Sequence, residues 1–315
     1  MQVSTTPVRF GAGLVGDPAV YYEVVAPLDA RTKPPVVMVH GGTQTGCCFL
    51  RTADGRPGWA FAFARRGYRA ILPDWPGCGR SGAIPYDKLD GAAVCRGLGA
   101  LLESLGEPVV LLTHSMSGVF GWRLVETHGA RIARVIAIAP GPPGNIQVEP
   151  KVLSETDDAV EVETPAKLRF RLSKIGAYCA DPVFIERKVV GDGGRFPRAG
   201  VAMMAASMCT LAPRLIYERL NVHGAQLKVG RFENFRSKPI LVMTGSNDID
   251  HPRVLDEGTV KWLNEKEAAA EFVYLPGVGI TGNGHMMMME DNSDALADLA
   301  IDWIESRKPM QRKAG

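Results

Sequence analysis

The chain lacks the features that mark several classes of protein. Among its 315 residues no apolar run approaches the length of a membrane span, so an integral membrane protein is not expected. Neither sign of charge dominates. With 36 basic residues against 34 acidic ones, a net +2, there is no broad basic footprint for nucleic acid. The most basic stretch, Arg307 to Lys313, reads as a solvated end. None of the six cysteines (47, 48, 78, 95, 179 and 209) falls in a C-x-x-C pair, which removes the usual zinc and redox patterns. Cys47 and Cys48 are neighbours, and a bridge between them would be strained, so free thiols in a reducing compartment are expected. The first residues lack the basic region and apolar run of a signal peptide. The expectation is a soluble cytoplasmic protein that binds neither nucleic acid nor membrane. There is no internal repeat and no low-complexity tract.

What is present is an alternation of short apolar runs with longer amphipathic stretches, the pattern of βα units feeding a largely parallel sheet. Strands are expected at Val36–Val39, Ala70–Leu72, Val109–Leu112, Val135–Ile138, Ile240–Met243 and Phe272–Leu275, with Val8–Phe10 and Val24–Val25 as antiparallel edge strands. Helices are expected at Trp59–Arg66, Ala92–Leu105 and about Ser293–Arg307. The rhythm breaks between Gly141 and Lys238, where no convincing parallel strand occurs. Helical segments are expected there at Pro165–Ala177, Val201–Cys209 and Pro213–Leu220. The organisation read from this is a core of residues 1–140 and 239–315, with residues 141–238 forming a mainly helical lid over the carboxyl edge of the sheet.

Four segments carry chemistry. Residues 109–118, Val-Val-Leu-Leu-Thr-His-Ser-Met-Ser-Gly, read as a strand, a sharp turn and a helix start, with Ser115 lifted at the turn as a nucleophile. The general pattern is G-x-S-x-G. Thr113 and Ser117 replace its glycines, so the strand-before, helix-after context carries the reading, against a plain serine-rich helix cap. Met38-Val39-His40-Gly41-Gly42 ends the first strong strand. Its glycine pair lets backbone amides face a cleft, and the oxyanion donors are assigned to Gly42 and Met116, with Thr43 competing with Gly42. His40 reads as a structural hydrogen-bonder, and Asp74 in the turn Asp74–Ser81 as structural too.

The base is expected from the glycine-rich loop Gly279–His285, which delivers His285 just ahead of the last helix. The acid is expected at Asp248, on the turn after Ile240–Met243, with Asp250 two residues on as the alternative. Asp248, Asp250 and His251 lack further ligands nearby, so no metal site is expected, and no organic cofactor is implied. Substrate contacts are expected from Thr43, Trp75, Met203, Met208 and Met286, with Met204 and Leu211 nearby, for a mainly apolar substrate of medium size. Core packing is an equal reading of the Met286–Met289 run.

Over nearly its whole length, the lid excepted, the sequence resembles the α/β-hydrolase superfamily. The resemblance rests on Asp74–Ser81, His40-Gly41-Gly42 and the turn at Ser115. The run Gly282-Asn283-Gly284-His285-Met286-Met287-Met288, with Glu290 and Asn292 after it, and Asp54–Ala60 resemble a branch of bacterial esterases that includes lactone-opening enzymes. The resemblance implies an α/β-hydrolase fold, an ester or lactone as small-molecule substrate, and a homo-oligomer. In that branch the acid is a glutamate directly before the proline that follows the sixth strand. Ala139 stands there, before Pro140, which moves the expected acid to Asp248 or removes it. Alternatives on the same residues are C–C bond hydrolysis, acyl transfer to a small alcohol, and a catalytically silent binding protein on this fold.

Overall fold

The computed structural model describes residues 7–29, 33–165 and 167–306. Its centre is a sheet of eight strands: β1 (Val8–Val15), β2 (Val20–Pro27), β3 (Val36–Val39), β4 (Ala70–Pro73), β5 (Val109–His114), β6 (Ile132–Ile138), β10 (Pro239–Thr244) and β11 (Ala269–Tyr274). They lie in the order β1-β2-β4-β3-β5-β6-β10-β11. The hairpin β1–β2 meets β4 in antiparallel register, and every pairing from β4 to β11 is parallel.

The sheet is buried on both faces, and side-chain alternation divides its central strands between two cores. Val36, Met38, Val110, Leu112, Ile136, Ile138, Leu241 and Met243 point to one side. Val37, Val39, Val109, Leu111, Val135, Ala137, Ile240 and Val242 point to the other. Helices α1 (Trp59–Arg65) and α8 (Ser293–Ser306) close the first core with Trp59, Phe63, Leu296 and Ile301. Helices α2 (Gly91–Ser104), α3 (Ser117–His128) and α7 (Arg253–Glu265) close the second with Leu98, Leu101, Trp122 and Leu263. The Asp90 carboxylate caps α2 by accepting from Ala93 N at 2.7 Å. The expected C-terminal helix runs to Ser306; Arg307 and the basic tail lie outside the described residues.

The interval between β6 and β10 departs from expectation. Its first part is a separate three-stranded antiparallel sheet of β7 (Lys151–Glu155), β8 (Ala159–Glu163) and β9 (Arg169–Ser173). The helix expected at Pro165–Ala177 is therefore replaced by the strand β9. The reason is visible in β8, where Val160 and Val162 alternate with Glu161 and Glu163, a period-two pattern. Val160 and Val162 pack on Leu172 and Val222, while Glu161 and Glu163 pair with Arg171 and Arg169 across the strands. Beyond it come the turn α4 (Pro182–Phe184), which runs on into Ile185–Val190, then α5 (Val201–Ser207) and α6 (Pro213–Arg219), close to the two remaining expected helices. This segment is tied down over the β3 end of the sheet, where Cys209 N donates to Thr43 O at 2.8 Å.

Trp59 joins the two layers of the first core. Its side chain is fully buried, and Nε1 donates to Ser293 O at 3.0 Å, pinning α1 to the start of α8. Trp59→Ala is expected to lower unfolding free energy by about 3–5 kcal/mol, the usual cost of deleting a buried aromatic. Urea denaturation followed by circular dichroism measures it, and a loss below about 1 kcal/mol would contradict this account of the core.

Candidate active site

Ser115 lies between β5 and α3 with φ at +55°, a left-handed conformation that a residue with a side chain adopts only under constraint. The constraint is backbone on three sides. Ser115 N donates to Ile138 O at 2.9 Å, and Ser115 O accepts from Gly118 N at 2.9 Å and Gly141 N at 2.8 Å. A Cβ on Gly118 would stand 2.5 Å from Pro140 Cβ and 2.8 Å from Gly141 N, so this position has no room for a side chain. The two departures from G-x-S-x-G are also explained. Thr113 fits because α3 presents Gly121 to it, where a Cβ would fall 2.9 Å from Thr113 Cγ2. Ser117 turns its hydroxyl into the turn, accepting from His114 N at 2.9 Å and lying 2.9 Å from the carbonyls of Val39 and His114.

Two loops reach this serine. The Ser115 hydroxyl is 2.8 Å from His285 Nε2, and His285 Nδ1 is 2.7 Å from Asp248 Oδ2. The Asp248 Oδ1 atom accepts from the amides of Asp250 and His251 at 3.0 and 3.2 Å. Burial pushes the Asp248 carboxyl up, but the charge and hydrogen bond of His285 outweigh it, leaving the carboxyl well below its ordinary range. Asp250, the alternative acid, pairs instead with Lys188 from the segment after α4. His285 is buried and its pKa is lowered, because burial outweighs the attraction of Asp248.

The histidine loop is clamped from below. Glu290 accepts from Gly284 N at 2.7 Å and from Asn283 Nδ2, and burial holds its carboxyl up to about 7. Asn283 O in turn accepts from Asn247 N at 2.9 Å, and a Cβ on Gly245 would lie 2.3 Å from that oxygen. The acid turn and the histidine loop therefore fit together through backbone, which fixes the carboxylate beside the ring. Two further histidines flank it: His114, not singled out by the sequence, and His251, which the sequence raised only as a metal ligand and set aside. His114 Nε2 donates to His285 O at 3.0 Å, and its ring lies 4.8 Å from the His285 ring. His251 stacks on the other side at 5.4 Å, with Nδ1 directed to Asp256 at 3.3 Å. Both are adjacent in sequence or nearly so to Ser115 and Asp248, which is the signal that could have found them.

The turn after β3 packs onto the nucleophile. A Cβ on Gly41 would stand 2.8 Å from His114 Nδ1 and 3.0 Å from Ser115 Cβ. One on Gly42 would meet Met116 Cε at 3.2 Å and Leu211 Cδ1 at 3.5 Å. Thr43 has φ at +61°, and its hydroxyl donates to Gly42 O at 2.6 Å. Among the described residues, none of the amides of Gly42, Thr43 and Met116 donates a hydrogen bond within the chain. His40 supports the turn from beneath: Nδ1 donates to Gly41 O at 2.8 Å and Nε2 accepts from Trp75 N at 3.1 Å, and burial lowers its pKa to about 4. Asp74 holds its own loop, accepting from Gly46 N at 2.8 Å and from Arg80 N at 2.9 Å.

The expected substrate contacts need correction. Trp75 is fully buried and stacked on His40 with 4.6 Å between centroids, so it is part of the core beneath the turn. Met203 faces solvent at 70 % exposure while its neighbour Met204 is buried, because α5 presents the latter to the core. Met286 packs in the core with Met287, Met288 and Met289, and Met208 lies half-buried against the same cluster. Thr43 alone of these five sits in the turn beside Met116 and Ser115. A surface hollow walled by Asp17, Ile84, Lys88 and Arg96 shares no residue with this site.

The model of a family described as the alpha/beta hydrolase family matches residues 36–299. A probable secreted lipase, phiG, of Fungal sp. (strain ATCC 74256) is 24% identical over 364 residues, covering 91% of this chain and 86% of that protein. The 2-hydroxy-6-oxo-6-phenylhexa-2,4-dienoate hydrolase of Burkholderia cepacia is 30% identical over 120 residues, 36% of this chain and 38% of that one. Among solved structures, a novel bacterial esterase aligns with a TM-score of 0.61 at 18% identity, covering 97% of this chain and 99% of that chain. No described helix is long and apolar enough to cross a membrane.

The lowered His285 pKa has a direct sign. A base must be neutral to take a proton, and a depressed pKa keeps the ring neutral to lower pH than a free histidine. The rate at which a fluorophosphonate labels Ser115 is therefore expected to reach half its plateau below about pH 6.5, the ordinary histidine value. A half-rise above that pH contradicts the burial argument.

Proposed function

The chain belongs to the alpha/beta hydrolase family, and we propose that it is a serine hydrolase that cleaves a carboxylic ester or lactone through an acyl-enzyme on Ser115. The observation that carries this reading is the unbroken relay from Asp248 through His285 to the Ser115 hydroxyl, with free amides beside it. His285 Nε2 takes the hydroxyl proton as Ser115 Oγ attacks the carbonyl carbon. Asp248 holds the ring in the tautomer that accepts at Nε2 and offsets the charge of the imidazolium. The amides of Gly42 and Met116 receive the oxyanion, with Thr43 N as the alternative to Gly42 N. His285 then returns the proton to the leaving alkoxide, which in a lactone stays tethered to the acyl group. A water molecule attacks the acyl-enzyme by the same route in reverse.

Hydrolysis of a C–C bond is the second reading, and the relative from Burkholderia cepacia, named as a hydrolase of a 2-hydroxy-6-oxo dienoate, is what favours it. The same relay would activate serine or water for that reaction, and product analysis with matched ester and diketone substrates separates the two. A cytoplasmic compartment goes with this reading on the absence of a C-x-x-C pair or signal-like start in the sequence, while the relative phiG is named as a secreted lipase.

A fluorophosphonate is expected to modify Ser115 and no other residue, and Ser115→Ala to reduce hydrolysis of 4-nitrophenyl butyrate to background. Normal turnover by that variant refutes the proposal. Asp248→Asn is expected to lower kcat by about 10⁴-fold, the cost of losing the correct tautomer, and Asp250→Asn by far less. Steady-state kinetics of the two variants measures this, and the reverse order would transfer the acid role to Asp250.

A further inference from the structure

Cys78 and Cys209 are distant in the chain but meet side by side, with their thiols in hydrogen-bonding contact. Each is presented by backbone that is held from several directions. Cys78 sits in the turn after β4, where its amide donates to Trp75 O at 2.9 Å and its carbonyl accepts from Ser81 N at 3.1 Å. The turn is so tight that a Cβ on the next residue, Gly79, would stand 2.4 Å from Asp74 Oδ2. Cys209 precedes α6, and its amide donates to Thr43 O at 2.8 Å. Its neighbours are fastened too. Thr210 Oγ1 lies 2.8 Å from Tyr86 Oη, and Leu211 exchanges backbone hydrogen bonds with Tyr178 at 2.8 and 3.0 Å. Two well-held segments therefore bring the sulfurs together, and the relay at Ser115 uses neither of them.

The surroundings decide what the pair can do. Cys78 is buried, whereas Cys209 keeps part of its surface open to small solutes. The hydrogen bond from Cys78, aided by the amide of Gly79, favours the thiolate of Cys209 and brings its pKa down to about 7 against the effect of burial. Burial pushes Cys48 well up and Cys95 up to about 12, so those two thiols stay protonated and inert. A partly open thiolate beside a second thiol is what a sulfenic acid needs to become a disulfide rather than a more oxidised acid.

We propose that Cys78 and Cys209 form a reversible redox site, in which a hydroperoxide oxidises the pair to a disulfide that staples the segment before α6 to the turn after β4. The Cys209 sulfur attacks the terminal oxygen of the hydroperoxide and breaks the O–O bond. This gives the sulfenic acid of Cys209 and an alkoxide, which takes up a proton. The Cys78 sulfur then displaces the hydroxyl, which leaves as water with the Cys78 thiol proton. Two thiols and one hydroperoxide thus become one disulfide, one alcohol and one water, and the two electrons lost by sulfur reduce the O–O bond. The largest cause raising the Cys78 thiol is its hydrogen bond to Cys209, and that cause ends once Cys209 is oxidised. A dithiol reverses the bond by exchange.

The test uses the full chain carrying Cys179→Ser, which removes an exposed thiol and touches neither member of the pair. The protein is treated with equimolar hydrogen peroxide at neutral pH, digested, and analysed by mass spectrometry without reductant. The peptides of Cys78 and Cys209 are expected to be found joined, and dithiothreitol to return both thiols. The bridge closes a loop of about 130 residues, so the oxidised protein is expected to unfold several degrees higher and to lose that rise on reduction. In Cys78→Ser, dimedone traps the sulfenic acid on Cys209, and in Cys209→Ser no adduct forms on Cys78. Absence of the bridge, a bridge to another cysteine in its place, conversion of Cys209 to the sulfinic acid while Cys78 stays a thiol, or an unfolding midpoint that does not rise overturns the proposal. The mass analysis needs no substitution at either position, so it decides the matter even where a serine variant folds poorly. None of these measurements uses turnover, and they hold whatever reaction Ser115 performs.

Discussion

A residue with a side chain held at φ +55° is the constraint on which the rest of this molecule depends. Such a conformation costs about 1–3 kcal/mol and persists only where the surroundings leave no alternative. Here they are the end of β6, which accepts the Ser115 amide, and two glycines from different segments, Gly118 and Gly141, which donate to its carbonyl. None of these partners is local to the turn except Gly118. The strain is therefore held by the parallel register of β5 and β6, and that register is set in turn by two cores of Val, Ile and Leu that lock each strand face. The large buried sheet keeps one hydroxyl in an orientation that a free chain would not choose.

How legible this was in the sequence depends on which physical signal each part uses. The buried strands of the sheet are continuous apolar runs bounded by turns, and their positions were readable within a few residues. Ser115, His285 and Asp248 were readable because strand–turn contexts are local, and the structure brings the three side chains into one hydrogen-bonded row. The small sheet β7–β9 was missed because its buried residues are only Ala159, Val160, Val162 and Leu172, set among charged residues that a helical reading also accommodates. Helix α7 was not read at all, since its large buried side chains are only Trp262 and Leu263, next to each other near its end, and charged residues fill much of the remainder. The pocket residues fared worst. Trp75, Met203 and Met286 were chosen for chemical type, but whether a methionine faces core, cleft or solvent is decided by tertiary packing that periodicity does not encode.

Electrostatics around His285 is a second layer of the same design. The ring lies between two other buried imidazoles. Burial lowers the pKa of His114, and the Nδ1 atom of His251 is already directed to a carboxylate. Three acids, Asp248, Asp250 and Asp256, lie close by, and each is assigned a different partner from a different segment: the histidine loop, the segment after α4, and the acid turn itself. That division keeps Asp248 available to one ring only. It also means that Ala139, standing where the resembling esterases carry glutamate, does not leave the imidazole without a carboxylate.

The hydrogen bond from Cys209 N to Thr43 O has a consequence for how the site holds together. Thr43 belongs to the turn whose amides are unspent, and Cys209 belongs to the cover that leaves Ser115 only 5% exposed. The same bond therefore fastens the segment before α6 and the turn with the unpaired amides to one another, so that a displacement of either at this point is resisted by the other.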